Sequence, residues 1–229
     1  MKIFLTALSL LCISATFAQN AIDTPETDDY LTNRSIRLTK DALNIAGTPY
    51  DNEEFQLGNI YKNGKLVANN VAIRYHVSRD QIEVKSGLNA PNSDAKILMA
   101  SPAIHARVLN DVFVYIRPVG EDTPSGYFEV MHEGDSYQLY KKLKKEFIEG
   151  KKAINSVARD VPPTYKDKEA LYLVDENGTL IELSGSRNRK LKAFPSHNKE
   201  LKKYTKEENL NINKDYSLIK LVAYYNTLN

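Results

Sequence analysis

Four histidines, one acidic run and one basic run are where this chain could do chemistry. The histidines are His76, His105, His132 and His197. A structural or catalytic metal centre needs three or four ligands converging at fixed spacing. The chain has no His-Glu-x-x-His and no His-x-His pair. His132, Glu133 and Asp135 in "HEGD" could form a weak cation site, but the same residues suit a hairpin turn. The acidic run is Asp51-Asn52-Glu53-Glu54. Paired carboxylates could serve glycoside hydrolysis. Adjacent acids repel, however, and these lie just before an apolar stretch at Phe55, so they read as a solvated or salt-bridged lead-in to a strand. Ser184 and Ser186 in "LSGSRN" lack the second glycine of a nucleophile elbow and read as helix caps. There is no Walker A loop and no G-x-G-x-x-G. Tryptophan, the usual carbohydrate platform, is absent, though 14 tyrosines could substitute. No catalytic residue, metal or cofactor is expected, and enzymatic activity is left open, leaning against it.

The basic run spans residues 187–206, with eight Lys/Arg against Glu200 alone. Arg187, Arg189, Lys190, Lys192, Lys199, Lys202 and Lys203 are the candidate binding residues for an anionic partner, such as lipid headgroups, an acidic polymer or an acidic protein surface. The plainer alternative is a pair of amphipathic helices. Their Leu191, Phe194, Leu201 and Tyr204 would face a core while the lysines face water. A third possibility is docking of an acidic arm near Asp23 to Asp29. Residues 19–59 hold eight acids against Arg34, Arg37 and Lys40. The overall formal charge of +2 supplies no drive toward nucleic acid, and none is expected as a partner.

Most of the elements that must position these groups read as strands. Asn63-Gly64 between "LGNIY" and "LVAN", and Asn177-Gly178 between "LYLVD" and "LIEL", are strong hairpin signals. Val71, Ile73, Tyr75 and Val77 alternate with Ala72, Arg74 and His76, which predicts one apolar and one wet face. Ile82 and Val84 continue the alternation. "KILMAS", "IHARVL", "VFVYIRP", "GYFEVMHE" and Tyr137 to Leu143 read as further strands. After Ser184 the period becomes helical. Asn213 reads as an N-cap with Asp215 in the first turn, and Leu218, Leu221, Val222 and Tyr225 follow at i, i+3, i+4 and i+7. Strands followed by helices predict an α+β fold. Its antiparallel sheet of successive hairpins would be open or a half-barrel, followed by C-terminal amphipathic helices.

The chain opens "MKIFLTALSLLCISATFAQN". Lys2, the apolar run and Ala18 predict a signal peptide over residues 1–18, too short to span a bilayer. The expected mature chain starts at Gln19, is exported to the periplasm or beyond, and has no transmembrane segment. The single cysteine, Cys12, lies in the signal. The mature chain would then be cysteine-free, without disulfides, thiolate metal sites or a cysteine nucleophile. The remaining divisions are an acidic arm at 19–46, an antiparallel β domain at 47–150, a linker loop at 151–167, and a β-hairpin plus helices at 168–229 packed on the β domain.

"GTPYDNEEFQLGNIY", "GYFEVMHEGDSYQLYKK" and "LYLVDENGTLIEL" with the helical stretch after it resemble an uncharacterised exported protein family of Bacteroidota-type bacteria. The resemblance implies an exported β-rich domain with a helical tail and carries no assigned activity or site. Three function classes remain. The leading one is a non-enzymatic binding or scaffold module of the cell envelope. The others are a hydrolase acting on an envelope or extracellular polymer, and a lipid or lipoprotein carrier with an apolar cavity. The oligomeric state is not legible.

Overall fold

Asn63 and Gly64 adopt φ of 51° and 73°, the left-handed pair that a two-residue hairpin turn requires. They fold β2 (Gln56–Lys62) onto β3 (Lys65–His76). In the computed structural model, which describes residues 29–36, 45–118, 120, 123–153 and 159–229, this hairpin lies near the middle of one antiparallel sheet. The other strands are β1 (Leu31–Ser35), β4 (Gln81–Lys85), β5 (Lys96–Leu98), β6 (Ile104–Val108), β7 (Asp111–Ile116), β8 (Gly126–His132), β9 (Tyr137–Ile148), β10 (Thr164–Asp175) and β11 (Leu180–Glu182). Their order is β1-β5-β4-β3-β2-β6-β7-β8-β9-β10-β11. Three helices follow: α1 (Arg187–Ala193), α2 (Asn198–Glu207) and α3 (Asp215–Asn226). The fold is α+β, as the pattern of strands followed by helices predicts.

The sheet curls. Three strands separate β3 from β8 in the order, yet Tyr75 and Tyr127 pack at 6.0 Å between ring centroids. Tyr75 also meets Phe113 at 5.3 Å, and the Tyr127 hydroxyl donates to the Leu98 carbonyl of β5 at 3.5 Å. Ile60, Ile73, Ile82, Leu98 and Ile104 fill the space between and are almost wholly buried. Each such side chain contributes about 1.5–3 kcal/mol.

The helices cover the same face farther along. Leu139, Lys141 and Leu143 alternate onto one side of β9. Leu143 packs on the half-barrel core, while Leu139 joins Leu171, Leu173, Leu201, Leu218, Leu221, Val222 and Tyr225 under the helices. The Asn226 amide fastens α3 to the β8–β9 turn. It accepts from the Ser136 and Tyr137 amides at 3.1 and 2.8 Å and donates to the Tyr137 carbonyl at 2.8 Å. A smaller cluster of Phe128, Tyr172 and Val174 occupies the opposite face.

Several elements depart from the sequence expectation. Ala72, Arg74 and His76 are buried rather than wet, and the segment 45–55 lies across Arg74 and His76. β1 falls inside the expected acidic arm, and β10 starts at Thr164, inside the expected linker. β9 continues to Ile148, because its pairing with β10 runs unbroken from Tyr137 to Ile148. Helix α3 starts at Asp215 with Lys214 as its N-cap, not Asn213. The Asn211 side chain takes the Asn213 amide at 3.2 Å, so a turn forms before the helix does. The expected signal peptide and residues 19–28 of the arm lie outside the described residues. Among the described residues no helix is long and apolar enough to cross a membrane.

Candidate functional site

The acidic run belongs to a strap. Residues 45–55 reach from the start of β10 to the end of β3. The Ala46 amide donates to the Pro163 carbonyl at 2.8 Å, the Ser78 amide to Pro49 at 3.2 Å, and the Asp51 amide to Tyr75 at 3.0 Å. Tyr50 and Phe55 then sandwich the Arg74 guanidinium, 3.9 and 4.3 Å from their ring centroids. Arg74 makes a two-pronged bond to Glu83 at 2.6 and 3.0 Å and donates to the Glu53 backbone carbonyl at 3.0 Å. Glu53 thus contributes its backbone, while the carboxylates of Glu53 and Glu54 face solvent. Burial raises the Glu83 carboxyl above its ordinary value despite Arg74.

A second charged group ties α3 to the sheet. Lys141 on β9 bonds Glu129 on β8 at 3.0 Å and Asp215 at the start of α3 at 3.4 Å. Burial raises the Glu129 carboxyl, with Lys141 opposing. Burial works against the Lys141 ammonium, but its two carboxylates prevail and its pKa is raised. Lys145 pairs with Asp167 across β9 and β10. These carboxylates meet lysines and join elements, and Lys145 and Asp167 also line an open cleft of about 470 Å³ with Asp51 and Glu169.

The histidines stand apart. The His76 Nδ1 accepts from the Arg79 amide at 3.3 Å, and its ring packs edge-on to Tyr50 at 4.5 Å. His105 stacks flat on Tyr61 at 4.8 Å, and burial, with Arg107 second, lowers its pKa. His132 ends β8, and His197 sits in the left-handed region before α2. Among the described residues no group of three or more His, Cys, Asp or Glu could hold a metal ion.

The basic run does form a concave surface. Ser186, Arg187, Asn188 and Leu191 from α1 and its N-terminal approach face Lys202, Lys203 and Lys206 of α2 across an open groove of about 750 Å³. Helical spacing sets one wall, since Lys202 and Lys206 are one turn apart. Leu191 and Leu201 are buried and hold the two helices together below the groove. Four cations and no acid line it. Lys203 pairs with Glu207 at 3.8 Å, where both side chains are exposed.

Of the seven expected binding residues, the structure brings Arg187, Lys202 and Lys203 together. It turns others away. Lys190 is buried, and its ammonium lies 3.5 Å from the Ile212 carbonyl. Arg189 lies against Gly185, whose added Cβ would sit 2.9 Å from the guanidinium. Lys192 and Lys199 are exposed and do not line the groove. Lys206, Ser186 and Asn188 are lining residues absent from the expected set. The i, i+4 step from Lys202 could have found Lys206, whereas the two polar groups follow only from how α1 meets α2. The described end of the acidic arm lies elsewhere: Asp29 pairs with Lys62 of β2 at 2.5 Å.

Compared with protein-family models, curated proteins and solved structures, the chain matches none.

Proposed function

We propose that this protein is an exported, non-enzymatic binding module of the cell envelope whose α1–α2 groove takes an anionic group of an envelope component or protein. The observation that carries this reading is the groove itself. It is lined by Arg187, Lys202, Lys203 and Lys206 without a carboxylate. A guanidinium offers a planar fork to phosphate or carboxylate, and three ammonium groups supply point charges around it. Asn188 and Ser186 add neutral donors. Export rests on Lys2, the apolar run and Ala18 of the leader-like segment. The half-barrel interior, filled by Tyr75, Phe113, Tyr127 and the isoleucines, supports a binder over a carrier.

The experiment is a titration with inorganic tripolyphosphate, followed by backbone amide chemical shifts. Shifts concentrated on residues 186–191 and 202–206, with affinity falling as salt passes roughly 0.15 M, where the screening length is about 8 Å, would support the groove. Shifts spread over the whole surface, or affinity indifferent to salt, would refute it.

A further inference from the structure

The β9–β10 ribbon runs past the rest of the sheet. Strand β8 pairs with β9 only at residues 139–141, and β11 pairs with β10 only at Tyr172–Val174. Residues 144–148 and 164–168 pair chiefly with each other, extending the ribbon by roughly 16 Å at 3.3 Å per residue. A two-stranded ribbon has little core of its own. At its far end the strap residue Ala46 bonds Pro163 and Tyr165 on one edge, yet large apolar side chains there still face solvent. Phe147 is 48% exposed, Ile148 41% and Val161 58%. Phe147 packs on Tyr165 at 5.3 Å, which stiffens the end without covering it. Mutual backbone hydrogen bonds of 2.8 Å set Lys151 opposite Val161.

Cations surround these groups. Lys144 stands directly opposite Lys168, a like-charge pairing that costs stability. Lys151, Lys152, Arg159 and Lys166 are exposed beside them. Glu146 is matched by Lys168 at 2.6 Å and Asp160 by Lys152 at 3.9 Å. Asp167 is taken by Lys145, so Lys144, Lys151, Arg159 and Lys166 then stand as an excess over Glu149 and Glu169. Phe147 and Ile148 face opposite sides of the strand, so the ribbon end is apolar on both faces. Exposed apolar groups rimmed by polar ones mark an interaction site, and a net positive rim favours a negative partner.

We propose that the far end of the β9–β10 ribbon docks on an anionic lipid bilayer. Phe147, Ile148 and Val161 enter the interface, Tyr165 sits at headgroup depth, and the lysines meet the lipid charge. This surface shares no residue with the α1–α2 groove, and it requires no membrane-spanning helix.

The chain contains no tryptophan, so Phe147→Trp installs a single reporter. Its emission should shift to the blue with vesicles rich in phosphatidylglycerol and stay unchanged with phosphatidylcholine vesicles. Tyr216→Trp, at a 64% exposed position on α3, should not shift with either. In co-sedimentation, Lys151→Gln with Lys166→Gln should weaken binding to the anionic vesicles by at least about tenfold. Replacing Lys202 and Lys203 by Gln should leave it within about twofold. An unshifted Phe147→Trp, an equal shift in neutral vesicles, or a shift that grows with protein concentration in the absence of lipid would each overturn the proposal. The last result would assign the patch to a second copy of the chain.

Discussion

Asp80 and Gly126 meet so closely that only a hydrogen fits between them. A Cβ on Gly126 would lie 1.6 Å from the Asp80 Oδ2 and 2.6 Å from the Lys142 Nζ. Gly126 also holds φ at 98°, where a side chain is strained. Asp80, itself left-handed at the end of the turn Val77–Arg79, accepts from the Tyr75 hydroxyl at 2.6 Å, the Tyr127 amide at 3.2 Å and Lys142 at 2.8 Å. One carboxylate therefore links the end of β3 to β8 and β9 and holds the curl of the sheet. Gly126→Ala is expected to destabilise the protein by at least about 2 kcal/mol, since strain and a displaced ion pair add. Urea unfolding should show a lower midpoint. A midpoint unchanged from wild type would mean that the curl does not depend on this contact.

The Arg74–Glu83 pair under the strap makes a second expectation. Both side chains are under 10% exposed, so removing one leaves the other charge stranded. Glu83→Ala should cost about 3–5 kcal/mol, whereas Arg74→Met combined with Glu83→Leu should cost less than either single change. Strictly additive losses in the double variant would show that the two groups act separately.

These two junctions mark what the sequence could convey. The Asn63-Gly64 turn was legible because its backbone demand is met by two adjacent residues. The Asn177-Gly178 turn was legible too: Gly178 supplies a φ of 79° there, and the Asp175 carboxylate accepts the Asn177 and Thr179 amides at 2.9 and 2.8 Å. The helix face of Leu218, Leu221, Val222 and Tyr225 was legible from its period. The burial of Arg74 and His76 was not, because alternation gives a strand its two faces and cannot say that Tyr50 and Phe55 return to cover the polar one. The groove was legible as a charge excess, but its membership depended on how α1 crosses α2. That crossing keeps Lys190 inside and leaves Lys206 at the rim.

Glu129 gives the pH dependence a sign. Burial raises its folded pKa above the unfolded value. Between those two values the folded state holds more protons than the unfolded one. Stability from this group is therefore fully present below the unfolded pKa, near about 4.3, and is lost as pH rises through the folded pKa. Compared with Glu129→Gln, which cannot titrate, wild type should gain relative stability as pH is lowered from neutral toward the unfolded value of about 4.3. Parallel stabilities for the two proteins, measured by urea unfolding across that range, would contradict the assignment.

Asn226→Ala should loosen α3. It removes the acceptor for the Ser136 and Tyr137 amides, at a cost of about 1–3 kcal/mol. Hydrogen exchange should quicken at the β8–β9 turn and along α3 while the half-barrel strands keep their protection. Uniform quickening across the whole sheet would instead make the helices and the half-barrel one cooperative unit.

The groove reading meets its most direct test in two triple variants of equal charge change. One replaces the lining cations, Arg187→Gln, Lys202→Gln and Lys203→Gln. The other replaces cations of the same run that do not line the groove, Arg189→Gln, Lys192→Gln and Lys199→Gln. Tripolyphosphate affinity is measured for both by calorimetry at roughly 0.05 M salt, where surface charge is weakly screened. The lining variant should lose at least about tenfold in affinity, and the other should stay within about threefold of wild type. Equal losses in the two variants would show that net charge alone attracts the anion and would contradict a groove built to hold it.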